Sequence, residues 1–225
     1  MEYAGDGNQM TKILYEDNHI LVVVKKENMP VCPDESKDLD LLTDLKNYIK
    51  EKYNKPGNVY LGLVHRLDRP VSGIMVFAKT SKAASRLSEQ VRTNKIKKKY
   101  YAVVCGKTEE KGELHDKLLK DNKTNMVKVD KNGKESILKY KLIKQKNDMS
   151  LVDIELITGR PHQIRVQFSS RNYPLYGDQR YNKNAKPKEQ IALVSYYLSF
   201  EHPTTKENLV FEIELPKRKP FDIFI

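Results

Sequence analysis

Several features are scarce in this sequence, and each scarcity removes a class of protein. Only two cysteines occur, Cys32 and Cys105, far apart and in no CxxC pair, which excludes a disulfide framework and a zinc-finger type of site. Each is expected to be a small buried or half-buried residue. Apolar runs such as residues 20–24 are far too short to cross a bilayer, and no basic, apolar, small-residue leader opens the chain. A cytoplasmic protein with no membrane partner is expected. The five histidines, His19, His65, His115, His162 and His202, show no HExxH or paired spacing, so no metal is expected. Gly106-Lys107-Thr108 lacks the upstream glycine of a phosphate loop, and no Gly-x-Ser-x-Gly occurs, which excludes P-loop nucleotide hydrolysis and serine-hydrolase chemistry.

Acidic residues are outnumbered. Lys plus Arg total 41 against 30 Asp plus Glu, a net charge of +11 over 225 residues, which favours polyanionic partners, nucleic acid first and an anionic membrane surface second. At 39% hydrophobic the chain can supply a real core. No conspicuous apolar helix face suggests an oligomer, and a monomer is the default.

The first dozen residues read as a loose lead-in, and a single domain is expected over residues 13–225. Strands are expected at residues 13–15 and 19–25. Leu41, Leu45, Tyr48 and Ile49 recur at helical spacing up to Pro56-Gly57. Thr80-Ser81 is an N-cap signal for a helix bearing Ala84, Leu87 and Val91. Residues 100–104 form another strand, and the lysine-rich residues 107–134 read as short strands and mobile loops. Residues 137–143 and 151–157 look like an antiparallel pair, since Val152, Ile154 and Leu156 alternate with Asp153 and Glu155. A helix is predicted from Thr158-Gly159-Arg160-Pro161, with proline in its first turn. Two final strands fall at residues 190–200 and 209–215. Hairpin-length gaps between most strands imply an α+β fold around a mixed, largely antiparallel sheet flanked by helices and loops.

Three polar stretches sit where strand or helix meets loop: His65-Arg66-Leu67-Asp68, Lys98-Lys99-Tyr100, and Arg160-Pro161-His162-Gln163-Ile164-Arg165. In the first, Asp68 lies between Arg66 and Arg69 and is followed by a turn at Pro70, Ser72 and Gly73 and an apolar strand, a rigid mount for a reactive group. Taken alone, Asp68 reads more simply as a loop carboxylate satisfied by the flanking arginines.

The longer context changes that reading. Residues 64–80 closely resemble the Arg-Leu-Asp motif of the RluA-type pseudouridine synthases. Residues 156–166, Leu-Ile-Thr-Gly-Arg-Pro-His-Gln-Ile-Arg-Val, resemble that family's later arginine-bearing motif. Lys98-Lys99-Tyr100-Tyr101-Ala102-Val103 is similar to the tyrosine motif between them, and Pro174-Leu175-Tyr176-Gly177-Asp178 to a downstream loop. The resemblance spans about residues 13–216. Only Lys25 matches the family's early Asn-Lys-Pro-x-Gly segment, and Val71 and Pro161 stand where threonine is common. Many relatives carry an N-terminal RNA-binding domain of the S4 type, for which the residues before Ile13 leave no room.

The resemblance implies a stand-alone enzyme that isomerises uridine to pseudouridine in structured RNA, ribosomal or transfer, without cofactor or metal. It implies Asp68 as the essential carboxylate, Arg165 as the arginine that pairs with it, and Tyr100 as the ring that stacks on uracil. His65, Arg66, Leu67, Arg160, His162, Gln163 and Ile164 are implied as substrate-binding motif members, with Arg66 filling the stack from which the base is drawn. The competing expectation is an RNA-binding or chaperone protein that keeps the scaffold without the chemistry.

Overall fold

Residues 20–25 are apolar at five successive positions and rich in β-branched side chains, which suits a strand covered on both faces; Ile20, Leu21, Val22 and Val23 are fully buried in it. The structure, a computed structural model, describes residues 2–4 and 10–225, with side chains from residue 11 onward. In chain order the elements are β1 (Glu2–Ala4), β2 (Met10–Glu16), β3 (Ile20–Lys25), α1 (Leu41–Lys52), β4 (Gly62–Leu63), β5 (Ser72–Ala78), α2 (Ser81–Arg92) and β6 (Lys97–Cys105). Then follow β7 (Lys111–Lys120), β8 (Val127–Val129), β9 (Lys134–Lys146), β10 (Met149–Leu156), α3 (Gln163–Ser169), β11 (Leu193–Glu201), β12 (Asn208–Glu212) and a final 3-10 turn, Phe221–Phe224. This is the α+β class expected from the sequence.

Chain contacts gather into two compact units, residues 1–96 with 197–213, and residues 97–196 with 214–225. In the first, β2, β3 and β5 pair antiparallel, Ile20 opposite Ala78 and Lys25 opposite Gly73. Short β4 lies beside β5, and β12 pairs with β11. Helix α2 begins where Thr80 accepts the N–H of Ala83 at 3.1 Å, and it presses Ala83 and Leu87 onto Ile20, Val22, Ile74, Val76, Leu198 and Phe200. Helix α1 is capped by Asp40, which accepts the N–H of Thr43 at 3.0 Å, and buries Leu41, Leu45 and Ile49. Each such side chain contributes roughly 1.5–3 kcal/mol by leaving water. The helix ends at Lys52, before Pro56-Gly57, because Asn54 turns into the left-handed region at φ 46°. Glu2–Ala4, expected within a loose lead-in, pairs with residues 10–12 as β1; residues 1 and 5–9 lie outside the described residues.

The second unit holds β6, β10, β9, β7 and β8 in hydrogen-bonded order. Here β10 lies between β6 and β9, antiparallel to both. Two expectations need correction. The lysine-rich stretch after residue 107 contains a ten-residue strand, β7, paired with β9 from Lys111 to Leu118 and with β8 at its end. Only Leu114 and Leu118 of that strand are buried; the ladder's main-chain bonds form it despite its polar side chains. Helix α3 starts at Gln163, beyond Pro161. The Gln163 side chain accepts from Arg160 N–H at 3.0 Å and from Thr158 Oγ1 at 2.9 Å, holding residues 158–162 in a turn, and His162 leaves it with left-handed backbone, φ 51°.

Candidate active site

The loop between β4 and β5 is built to hold Asp68 still. The N–H of Val71 donates to Asp68 O at 3.0 Å, closing a four-residue turn, and Gly73 follows at φ 136°, backbone that glycine adopts freely. Leu67 is buried and anchors the loop to the core, whereas Arg66 is exposed and Asp68 half-buried. His65 accepts the Val76 N–H on its Nε2 at 3.1 Å, so the side chain clips the loop's first half onto β5.

The other half of the loop is held by Lys25, the last residue of β3. Its stem and amine are fully buried, and Nζ donates to the main-chain oxygens of Lys26 at 2.8 Å, Met29 at 2.8 Å and Arg69 at 2.9 Å. Three acceptors match the three donors of an ammonium. Burial drives the pKa of Lys25 down to about 7, although the charge of Asp68 pulls it the other way. Asn28 enables the reversal after β3 with left-handed backbone at φ 59°.

Arg69 points away from chemistry. It donates to Asn28 O at 3.2 Å, to Asp34 at 3.2 Å and Ser36 at 2.9 Å, and it also bonds Asp38. The simple expectation that Arg69 satisfies Asp68 is replaced by a clamp on the acidic loop at residues 34–38.

In the second unit Tyr100 is buried on β6, opposite Ile154 of β10. Arg165, on α3, donates from Nε to Asp178 Oδ2 at 2.8 Å and from Nη2 to Oδ1 at 2.7 Å. The pair is withdrawn from water, with side-chain exposures of 4% and 0%, and its two parallel bonds fix the plane of the guanidinium. The Tyr181 ring lies 5.1 Å from the guanidinium carbon. Tyr181 is held in turn, for its hydroxyl accepts the Val127 N–H at 3.0 Å and lies 2.7 Å from His162 Nδ1. Asp178 also accepts the N–H of Arg180 at 3.0 Å and of Tyr181 at 3.3 Å.

The remaining residues singled out in the sequence divide by burial. Gln163 and Ile164 are buried, and Gln163 spends its amide on Ile137 O at 3.1 Å and Gln167 at 3.0 Å. Arg160 is half-buried and donates to Glu135 O at 3.0 Å. Thus His65, Arg66, Leu67 and Asp68 share one loop of the first unit, while Tyr100, Arg160, His162, Gln163, Ile164 and Arg165 belong to the second. Asp178 and Tyr181 were missed as partners of Arg165. The signal for Asp178 was present, because it ends the segment Pro174-Leu175-Tyr176-Gly177-Asp178.

Comparison with known proteins gives a consistent picture. A family model described as RNA pseudouridylate synthase matches residues 19–170. The chain is 36% identical over 217 residues to a ribosomal large subunit pseudouridine synthase C of Buchnera aphidicola subsp. Baizongia pistaciae, covering 90% of this chain and 66% of that protein. It is 34% identical to an uncharacterized RNA pseudouridine synthase of Aquifex aeolicus, covering 91% of this chain and 69% of that one. It is 33% identical to a ribosomal large subunit pseudouridine synthase D of Zymomonas mobilis, at 92% and 69% coverage. The chain spans about two thirds of the length of these relatives. Its fold is shared with the solved human RNA pseudouridylate synthase domain containing 4, at TM-score 0.77 and 23% identity, over 92% of this chain and 89% of that one.

Proposed function

Because the chain belongs to the RNA pseudouridylate synthase family, we propose that it isomerises uridine in structured RNA to pseudouridine, with Asp68 as the carboxylate that acts on the ribose. In this reaction the bond from uracil N1 to C1′ breaks, the base turns, and C5 bonds to C1′. A proton leaves C5 and N1 gains one, so the reaction balances without a cofactor or metal. The observation that carries the reading is the mounting of Asp68: a half-buried carboxylate in a closed turn, clipped on one side by His65 and tied on the other by Lys25. Such rigidity suits a group that must meet one ribose atom in one geometry.

The other roles follow the motif positions. Tyr100 takes the uracil ring by stacking, worth roughly 1–3 kcal/mol per base. Arg66, exposed on the same loop as Asp68, fills the gap left when the base is drawn out, a step that costs roughly a few kcal/mol; its planar guanidinium suits that better than a lysine would. Arg165 orients charge in the second unit from its fixed plane on Asp178. His65, Leu67, Arg160, His162, Gln163 and Ile164 hold the loops that present these groups. The protein acts as a cytoplasmic monomer on RNA.

Ribosomal RNA is the first substrate to test, in view of the large-subunit names of the relatives, and transfer RNA the second. Each RNA, tritiated at uridine C5, is incubated with wild-type protein and with Asp68→Ala. Label released by the wild type and none by the variant supports the reading, and a fully active Asp68→Ala variant overturns it. Tight binding of RNA with no label release from any substrate would instead identify a non-catalytic binder.

A further inference from the structure

Lys98 lies on β6, two residues before Tyr100 and opposite Leu156 of β10. Lys98 is half-buried; that burial pushes its pKa down, and no charged neighbour opposes the shift. Among the described residues its amine makes no hydrogen bond or ion pair. Most withdrawn cations in this fold have partners; Lys25 has three carbonyls and Arg165 has Asp178. The Lys98 amine lies against the turn that leads into α3, where a Cβ on Gly159 would stand 3.1 Å from Nζ. Glycine puts no side chain between the amine and the turn, and Gly159 is itself exposed.

A desolvated cation without a counter-charge weakens a fold, and the deficit is removed only when an anion arrives. We propose that Lys98, seated against the turn at residues 158–160, binds a phosphate of the RNA strand next to the uridine received by Tyr100. This assignment rests on the RNA-directed reading above and deepens it. Phosphate fits because a lysine amine is a compact charge with three donors and no acceptor, suited to phosphate oxygens. The position fits as well, since Lys98 and Tyr100 point to the same face of β6 by the two-residue period of a strand.

The test reads binding alone. Affinity for a short fluorescein-labelled oligouridylate is measured against salt for wild type, Lys98→Met, Lys98→Arg and, as a control for general charge, Lys50→Met at an exposed position of α1. Each phosphate contact on a single strand contributes about 0.7 to the slope of log affinity against log salt. Lys98→Met is expected to lose about that much and to bind several-fold more weakly at low salt, while Lys98→Arg and Lys50→Met keep the wild-type slope. An unchanged slope in a cooperatively folding Lys98→Met protein overturns the assignment. A second measurement uses wild-type protein only: acylation of Lys98 by acetic anhydride, read by peptide mass, should slow when the oligouridylate is bound, and equal labelling with and without it also overturns the assignment. Tritium release separates the two readings. A wild type that protects Lys98 but releases no label loses the isomerase reading and keeps the phosphate site, whereas release with Lys98 unprotected does the reverse.

Discussion

Lys25 Nζ donates to the main-chain oxygen of Arg69 at 2.9 Å, joining the end of β3 to the Asp68 loop across 44 residues of chain. Because Met29 and Lys26 oxygens take the other two donors, Lys25→Met would leave three carbonyls without their partner. A buried polar group stripped of its partner costs roughly 1–3 kcal/mol. The variant should unfold at a clearly lower urea concentration, and label release should drop in kcat with little change in KM, since the loop that presents Asp68 loosens while the RNA-binding surface remains.

Asp68→Asn tests chemistry more gently than alanine does. The turn rests on the main-chain oxygen of Asp68, which accepts from Val71, and the amide side chain has nearly the same shape. Release of C5 tritium should fall by at least about a thousandfold, an effect of at least about 4 kcal/mol on the barrier, with RNA affinity and the urea midpoint close to wild type. A variant retaining more than about a tenth of the activity, a loss under about 1.4 kcal/mol, would refute the assignment.

Removing Asp178 would take from Arg165 the carboxylate that accepts from both its Nε and its Nη2. Arg165 is almost wholly withdrawn from water, and Asp178 takes both its Nε and Nη2, so Asp178→Ala should cost about 3–5 kcal/mol in urea unfolding. In the double variant with Arg165→Met the two losses should not add, because both side chains act through one bidentate pair.

Glu16 makes stability acid-sensitive. Burial by itself would raise its pKa, but hydrogen bonds from Lys52, Lys79, Tyr48 and Tyr53 outweigh burial and bring it down to about 2, well below the ordinary range of a glutamate. A carboxylate with a depressed folded pKa stabilises the protein above its unfolded pKa and loses that contribution as pH falls through the folded one. The contribution should therefore be complete above about pH 5 and lost progressively toward pH 2. In Glu16→Gln the thermal midpoint should fall near neutral pH and depend less on pH between 5 and 2 than in the wild type, read by calorimetry across that window.

Legibility differed from element to element for physical reasons. The alternation of β10 and the Thr80 cap of α2 are each signals carried by a few neighbouring residues, and the structure has both where they were expected. β7 was hidden because its lysines carry no apolar period, and the pairing with β9 that forms it joins positions such as Leu114 and Leu138, far apart in the chain. The start of α3 was misjudged at Pro161, since the side chain of Gln163 holds the preceding turn together against the helix.

The candidate site divides in the same way. Motifs single out Asp68, Tyr100 and Arg165 as candidates because each sits in a short run of fixed residue type, and the sequence by itself determined that choice, the fold class and the positive charge. Only the tertiary structure decided who holds them. It turned Arg69 to the acidic loop, fixed the plane of Arg165 on Asp178, buried Lys25 under three carbonyls and, among the described residues, left the Lys98 amine with none. Those choices depend on which side chains lose their water together, and that is settled by packing between distant segments.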